Sequence, residues 1–572
     1  MTVAEFIVDY LIQQGVTDTF GIPGGVILEL LYAMKSRELE ITPHLNYHEQ
    51  TAAFAACGYA QTYGRLGVAY ATRGPGIANM ITTIIDAYCD SIPVLFITAH
   101  SFKSSKSAMR VESDQEIDLI PFMSEITKYA ARIDKINEVK PAIETACSVA
   151  LSGRKGPVIL DIDSALLKRK MCYISQDYYK DKRDGENTIP SGLNVSEVAD
   201  VIYSALDRAK RPVLLIGDGI RQSGTENESI RFAEKVGIPV LSSRFSQDIM
   251  SGSPLYYGYI GSHGIRFSNF ILSKADLIIA LGNRMSFPVE SQSYEAVITQ
   301  ANIIRIDIDE TEYQRRIPNC RNYLLDIKNL FPELMMEKRV RRASAEWITT
   351  CDRLREYLWY EDISYPVEIV AKILNAVTSD IPVVSDVGNN EFWLSRASVY
   401  ARSEHHILYS KSFGVLGCSL GKAIGVYYSA KKSVLCFAGD QGLQLNIQEL
   451  QYISRHRLPI VIVLLNNSSS GMIRSREKQR YHSKYVLTTK DSGYSVPDFS
   501  ALAKAYGIDH YVYSSLNVVD INDSFVETNA PCILEVQFSE EIDLTPNLPI
   551  GAPCQKMMPE LPVEIYEFLN GL

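Results

Sequence analysis

Short apolar runs alternate with stretches of helical periodicity along nearly the whole chain. The runs include GVAYAT (67–72), PVLFIT (93–98), PVILDI (157–162), PVLLIG (212–217), LIIALG (277–282), IIRIDI (303–308), PVVSDV (382–387), SVLCFAG (433–439), PIVIVLL (459–465) and CILEVQF (532–538). Most are β-branched and apolar on both faces, the pattern of parallel strands covered by helices on each side. That predicts the α/β class. The runs fall into three clusters, separated by polar, charge-rich stretches at 168–194 and 337–365 that read as linkers or surface excursions. Domains are placed at 1–170, 190–340 and 360–572, each a doubly wound parallel sheet that would bind ligands at its strand carboxyl ends.

Composition narrows the class. A chain of 572 residues, at about 150 per domain, holds three or four domains. With 46% hydrophobic and 22% charged residues, disorder is excluded. A net charge of -10 without a basic block argues against nucleic acid and anionic membrane as partners. The ten cysteines show no C-x-x-C and no paired spacing, so neither a disulfide framework nor a zinc site is expected. The start, MTVAEF, has no basic stretch and does not read as a signal peptide. The longest clean apolar run, LPIVIVLL (458–465), has strand length. A soluble cytoplasmic protein is the expectation.

The strongest local signal is CFAGDQGLQLNIQEL (436–450) followed by PIVIVLLNNSSSGM (459–472). Asp440 follows one strand and Asn467 ends the next, with a helix between. A carboxylate and an amide would thus stand at neighbouring strand ends. Both offer hard oxygen ligands, suited to Mg²⁺ bridging a diphosphate. Read alone, a Gly-Asp turn and an Asn pair mean little; the full strand–helix–strand arrangement is far more specific.

These segments resemble the thiamine diphosphate-dependent enzymes, whose cofactor motif is Gly-Asp-Gly, a helix and strand, then Asn-Asn. Gln441 stands where the family has its second glycine, and Gly442 follows. The resemblance implies Asp440, Asn467 and the carbonyl of Ser469 as metal ligands, with Gly439 and Gly442 beside the diphosphate. It also gives HEQTAAFAAC (48–57) a meaning. Alone, Glu49 is a first-turn acid that complements a helix dipole. In the family a carboxyl here bonds N1′ of the aminopyrimidine and prepares the cofactor's reactive carbon. The segments FGIPGG (20–25), with Gly24 and Gly25, and TRGPGIAN (72–79), with Pro75 and Asn79, resemble those around the pyrimidine. Gly388 and Asn389 are assigned to the cofactor too. SFGVLG (412–417) resembles the segment that bends it: Gly414 would accept from N4′ and Leu416 would wedge between the rings. In the family the cofactor lies between the first domain of one subunit and the third of another, which implies a homodimer or homotetramer.

The resemblance runs over nearly the whole chain and is closest to the acetohydroxyacid (acetolactate) synthase branch. Gln115 corresponds to that branch's active-site glutamine. Gly261 and Gly264 (GSHG), Arg284 (LGNR), and Asp307 and Asp309 (DID) resemble its FAD-contacting turns, with the flavin largely structural. An arginine at position 284 would also lie near the acceptor carboxylate. The departures fall on the acceptor lining. Arg476 (GMIRSR, 471–476) stands for the family's tryptophan, Asp114 for an aromatic, Ser164 for a lysine and Ser262 for a methionine. Charged groups there should disfavour a small alkyl keto acid. The expected reaction is decarboxylation of a 2-oxo acid, with pyruvate foremost, and transfer of the two-carbon unit to a carbonyl acceptor. The alternatives are a true acetolactate synthase, a ligase adding a two-carbon branch to a keto-deoxysugar, a flavin-dependent 2-oxo-acid oxidase and, last, a non-catalytic nucleotide-binding protein.

Overall fold

The computed structural model describes residues 1–101, 114–171, 194–286, 301–338, 342–377, 380–513, 530–549 and 551–572. They form three six-stranded sheets in which every strand pair is parallel. All the apolar runs named above become strands. The central ones, such as Val94–His100 and Ile460–Asn466, are buried at every position because helices cover both faces.

The described residues within 1–186, 379–391 and 407–540 make one compact unit. Its first sheet runs, edge to edge, Thr42–Leu45, Asp18–Gly21, Gly67–Tyr70, Val94–His100, Val158–Asp163, Tyr129–Ile133. Its second runs Ile407–Leu408, Val383–Ser385, Val434–Gly439, Ile460–Asn466, Cys532–Gln537, Asp509–Tyr513, the same order relative to the chain. The two layers are joined by a crossing of helices Glu49–Tyr63 and Ser419–Ala430. Both are rich in small residues (TAAFAACGYA and SLGKAIGV), so their backbones nearly touch. A Cβ built on Gly425 would lie 1.8 Å from the carbonyl oxygen of Ala55, and one on Gly58 would lie 2.2 Å from that of Lys422. Apolar side chains from both layers share one core through this joint.

The second unit takes the described residues within 187–378, 392–406 and 541–572. Its sheet runs Cys320–Leu324, Asn302–Asp307, Leu277–Leu281, Pro212–Ile216, Val240–Ser242, Tyr256–Tyr259. That is the doubly wound order of dinucleotide-binding folds, with its switch point between Leu277–Leu281 and Pro212–Ile216. The stretch 168–194 lies mostly outside the described residues. The stretch 337–365 is not a bare linker. It contains helix Ala345–Leu358, whose buried stripe Trp347, Cys351, Leu354 and Leu358 packs into the core of the second unit. Its exposed charges masked a helical period in the sequence.

Candidate active site

Register builds the site. Gly439 pairs with Leu465, so Asp440 and Asn466–Asn467 leave the sheet side by side. Ser385 pairs with Phe437, which brings Asp386 to the same edge. This edge is the switch point of the sheet, where open α/β folds leave a crevice. Asp440 is buried. Its Oδ2 accepts from the backbone N–H groups of Asn467 (3.1 Å) and Ser468 (2.8 Å), and its Oδ1 from the Tyr494 hydroxyl. Burial pushes its carboxyl above the ordinary range, and those donors pull it back.

Around Asp440 lie polar atoms with nothing to bond. Among the described residues, Asn467 Nδ2, Ser469 Oγ and both side-chain polar atoms of Asn389 are buried without a hydrogen-bond partner. Each such atom costs about 1–3 kcal/mol unless something else satisfies it. They converge: a Cβ on Gly471 would lie 2.6 Å from both Asn389 Nδ2 and Asn467 Nδ2. Only a glycine leaves that space open. One carboxylate, one amide and the carbonyl of Ser469 make a hard-oxygen set, and the orphaned groups can bond the oxygens of a polar anion. The residues therefore fit a Mg²⁺–diphosphate group. Gly439 ends its strand, Gly388 opens the turn before Asn389, and Gly442 abuts the Asp386 carboxylate.

The first sheet gathers a second cluster. Gly21 pairs with Tyr70, so the turns 22–25 and 71–75 emerge together. Gly24 abuts Thr72, and Gly25 opens a short helical turn. Pro75 starts helix Pro75–Asn79, whose Asn79 donates from Nδ2 to Glu49 Oε2 at 2.9 Å. Glu49 is the first residue of its helix, capped by the His48 side chain. Gln115 is exposed and its backbone carbonyl lies against Gly74. Asp114 beside it is exposed. Gly414 takes a φ of 68° in the exposed part of its segment, and Leu416 is half-buried. Arg476 is exposed on helix Gly471–Arg480, whereas Arg474 is buried. Ser164 opens a short helix after strand Val158–Asp163.

Within the second unit, Gly261 and Gly264 form a tight turn bridged by Asn269, which bonds the Gly261 N–H (3.2 Å) and carbonyl (3.0 Å). The Ser262 carbonyl accepts from Leu548 N–H. Arg284 lies 3.8 Å from Glu312. Asp307 ends its strand and accepts from Asp309 N–H, and Asp309 caps the turn Glu310–Gln314.

Sequence reasoning missed four residues that shape these clusters. Asp386 accepts N–H bonds from Val387, Gly417 and Ser419; its place at a strand end was a usable signal. Glu449 accepts from Asn46, Tyr47 and His48, just ahead of Glu49. Glu116 bonds Arg73 and Ser101, fixing the backbone beside Gln115. Glu449 falls inside the segment 436–450 but no pattern there singles it out, Glu116 merely neighbours Gln115, and Tyr494 lies in an aperiodic stretch.

Residues 1–122 match the family described as thiamine pyrophosphate enzyme, N-terminal TPP binding domain. Residues 199–334 match its central domain and 386–536 its C-terminal TPP binding domain. Among full-length relatives, the acetolactate synthase isozyme 2 large subunit of Escherichia coli (strain K12) is 30% identical, over 98% of this chain and 100% of that protein. The acetolactate synthase large subunit of Lactococcus lactis subsp. lactis (strain IL1403) is 29% identical over 97% and 96%. The chloroplastic acetolactate synthase 1 of Zea mays is 28% identical over 97% and 88%.

Proposed function

The chain belongs to the thiamine pyrophosphate enzyme family, and from that premise we propose that it is a carboligase. It decarboxylates a 2-oxo acid, pyruvate foremost, and transfers the two-carbon unit to a carbonyl acceptor. The observation that carries this reading is the set of orphaned polar groups around Asp440, at the edge where register gathers the metal-type ligands. Asp440, Asn467 and the Ser469 carbonyl would hold Mg²⁺ together with the diphosphate. Bound thiamine diphosphate supplies the electron sink for the chemistry. Glu49, steadied by Asn79, would hold a proton at N1′ of the pyrimidine, Gly414 would accept from its amino group and Leu416 would pack against the rings. Gln115 orients substrate.

The two clusters serve one cofactor from two chains, so the working form is at least a homodimer. Exposed apolar side chains near them, Tyr47, Phe413, Leu445 and Ile473, support a surface that a second copy covers. In the second unit, the dinucleotide-type strand order and the Gly261–Gly264 turn support a bound FAD; purified protein should be yellow and release flavin on denaturation.

The acceptor pocket is where we propose that this chain differs from the acetolactate synthases it resembles. Asp114 and Arg476 are charged and exposed beside the catalytic segments, and Arg476 offers five donors and a permanent charge. Both favour a polar acceptor, and Arg476 an anionic one as well. A true acetolactate synthase is the second reading, favoured by the near-full-length similarity. The discriminating experiment is Arg476→Trp, offered pyruvate with 2-oxobutyrate or with a 4-keto-deoxysugar nucleotide. If Arg476 lines the acceptor site, the product ratio should shift by roughly 10- to 200-fold toward the alkyl acceptor. An unchanged ratio takes Arg476 out of the pocket and favours acetolactate synthesis.

A further inference from the structure

The segment 409–416 is not held by its own layer alone. Helix Ile81–Asp90, from the first layer, reaches it with two buried carboxylates. Asp90 accepts from the backbone N–H groups of Lys411 (2.6 Å) and Ser412 (2.7 Å). Asp86 accepts from the Ser410 hydroxyl at 2.5 Å. Lys422, fully buried on helix Ser419–Ala430, lies 3.3 Å from Asp86 and donates to the Tyr409 carbonyl at 2.8 Å. Burying two carboxylates and an ammonium is costly unless each is well bonded. An apolar contact would join the layers at less cost. What the charges add is direction.

The direction is legible at Ser410. Its Oγ donates to Asp86 and accepts from Val415 N–H at 2.8 Å. Val415 N–H and the Gly414 carbonyl belong to one planar trans peptide, so they point in opposite senses. Pinning the N–H onto the buried hydroxyl turns the Gly414 carbonyl outward, toward the exposed side of the segment. On the other flank, Asp90 fixes Ser412 N–H. Gly414, at φ 68°, has no side chain of its own to define the peptide.

We infer that Asp86, Ser410 and Lys422, with Asp90, are positioning residues of the active site: a charged clamp from the first layer aims the Gly414 carbonyl at the cofactor's amino group. This rests on the carboligase reading, in which that carbonyl is the acceptor for N4′. The clamp's side chains bond neither Asp440 nor Asn467, so the clamp should govern activation of the cofactor and not its anchoring.

The test uses the full chain saturated with thiamine diphosphate and Mg²⁺. Ser410→Ala removes one hydroxyl and frees Val415 N–H. It should slow exchange of the cofactor's C2 proton, followed by NMR, by about 10- to 100-fold, the scale of a small misplacement. Cofactor affinity should stay within about 3-fold, because the diphosphate anchor that fixes it is untouched. Ser410→Thr, which keeps the hydroxyl, should restore most of the exchange rate. Lys422→Met should behave like Ser410→Ala if it folds; Ser410→Ala keeps the inference testable if it does not. Exchange at the parent rate in Ser410→Ala overturns the inference. So does a parallel fall of affinity, melting temperature and exchange that threonine does not rescue, which would be a merely structural role. A parent chain that binds no thiamine diphosphate fails the underlying reading, and is told apart because the parent alone shows it.

Discussion

Asp440 does two jobs with one carboxylate. In the proposed reading it would offer a hard oxygen to a cation, while it also accepts the N–H groups that shape the turn Asn467–Ser468. Among the described residues, no three His, Cys, Asp or Glu side chains gather to hold a metal by themselves. A Mg²⁺ ion bound here would rely on this carboxylate and on the diphosphate. Asp440→Ala should therefore weaken binding of thiamine diphosphate in the presence of Mg²⁺ by more than about 100-fold, beyond the usual loss for an outer-shell partner. Isothermal titration checks it; parental affinity in the variant, with or without chelator, would mean the anchor lies elsewhere. Asp440, Asn467 and Glu49 were legible because each sits at an element end with a short motif around it. Glu449 and Tyr494 were not, because their roles arise only when distant segments meet.

Elements tell the same story through packing. The central strands could be read from sequence because burial on both faces demands apolar residues throughout. The edges could not. Thr42–Leu45, Cys320–Leu324 and Asp509–Tyr513 carry exposed polar positions, as edge strands do, and so lack the signal. The helix crossing was half legible: the small residues were visible, but not that two such helices meet. Gly425→Ala tests that joint. Alanine gains about 1 kcal/mol of helix propensity over glycine. The added methyl group would overlap the Ala55 carbonyl, and overpacking of this kind costs typically 1–3 kcal/mol, occasionally more. The variant should melt several degrees below the parent by circular dichroism. A melting temperature at or above the parent's would show that the helices separate without cost.

At the scale of the whole molecule, charge is buried deep in the first unit, and Glu449, Asp90 and His100 are among its groups that bind protons more tightly folded than unfolded. Burial pushes the Glu449 carboxyl up to about 7, and burial together with Asp86 pushes Asp90 to about 6, against Lys422 and Lys411. For His100, burial alone would lower the value, but its bonds to Asp161 (2.9 Å) and Asp134 (3.0 Å) outweigh that and raise it above 6.5. The histidine's contribution is fully present below its ordinary value and is lost as pH rises through the raised one. The two carboxyls act in the same direction: stability falls as pH rises from their ordinary values to the raised ones, so above pH 6 their remaining loss comes mainly from Glu449. The unit without cofactor should thus melt higher at pH 6 than at pH 8 in scanning calorimetry; the reverse order would contradict these proton affinities.

The same unit carries the catalytic claim, and Glu49 is its centre. The most direct test incubates the chain, with thiamine diphosphate and Mg²⁺, with pyruvate labelled with carbon-13 and a panel of carbonyl acceptors, and follows products by NMR. A ligated product bearing the labelled two-carbon unit should form in the parent. Its rate should fall by ~10²–10⁴ in Glu49→Gln, the usual loss for an acid–base group. Pyruvate left unconsumed with every acceptor, or product formed by Glu49→Gln at the parental rate, would contradict the account.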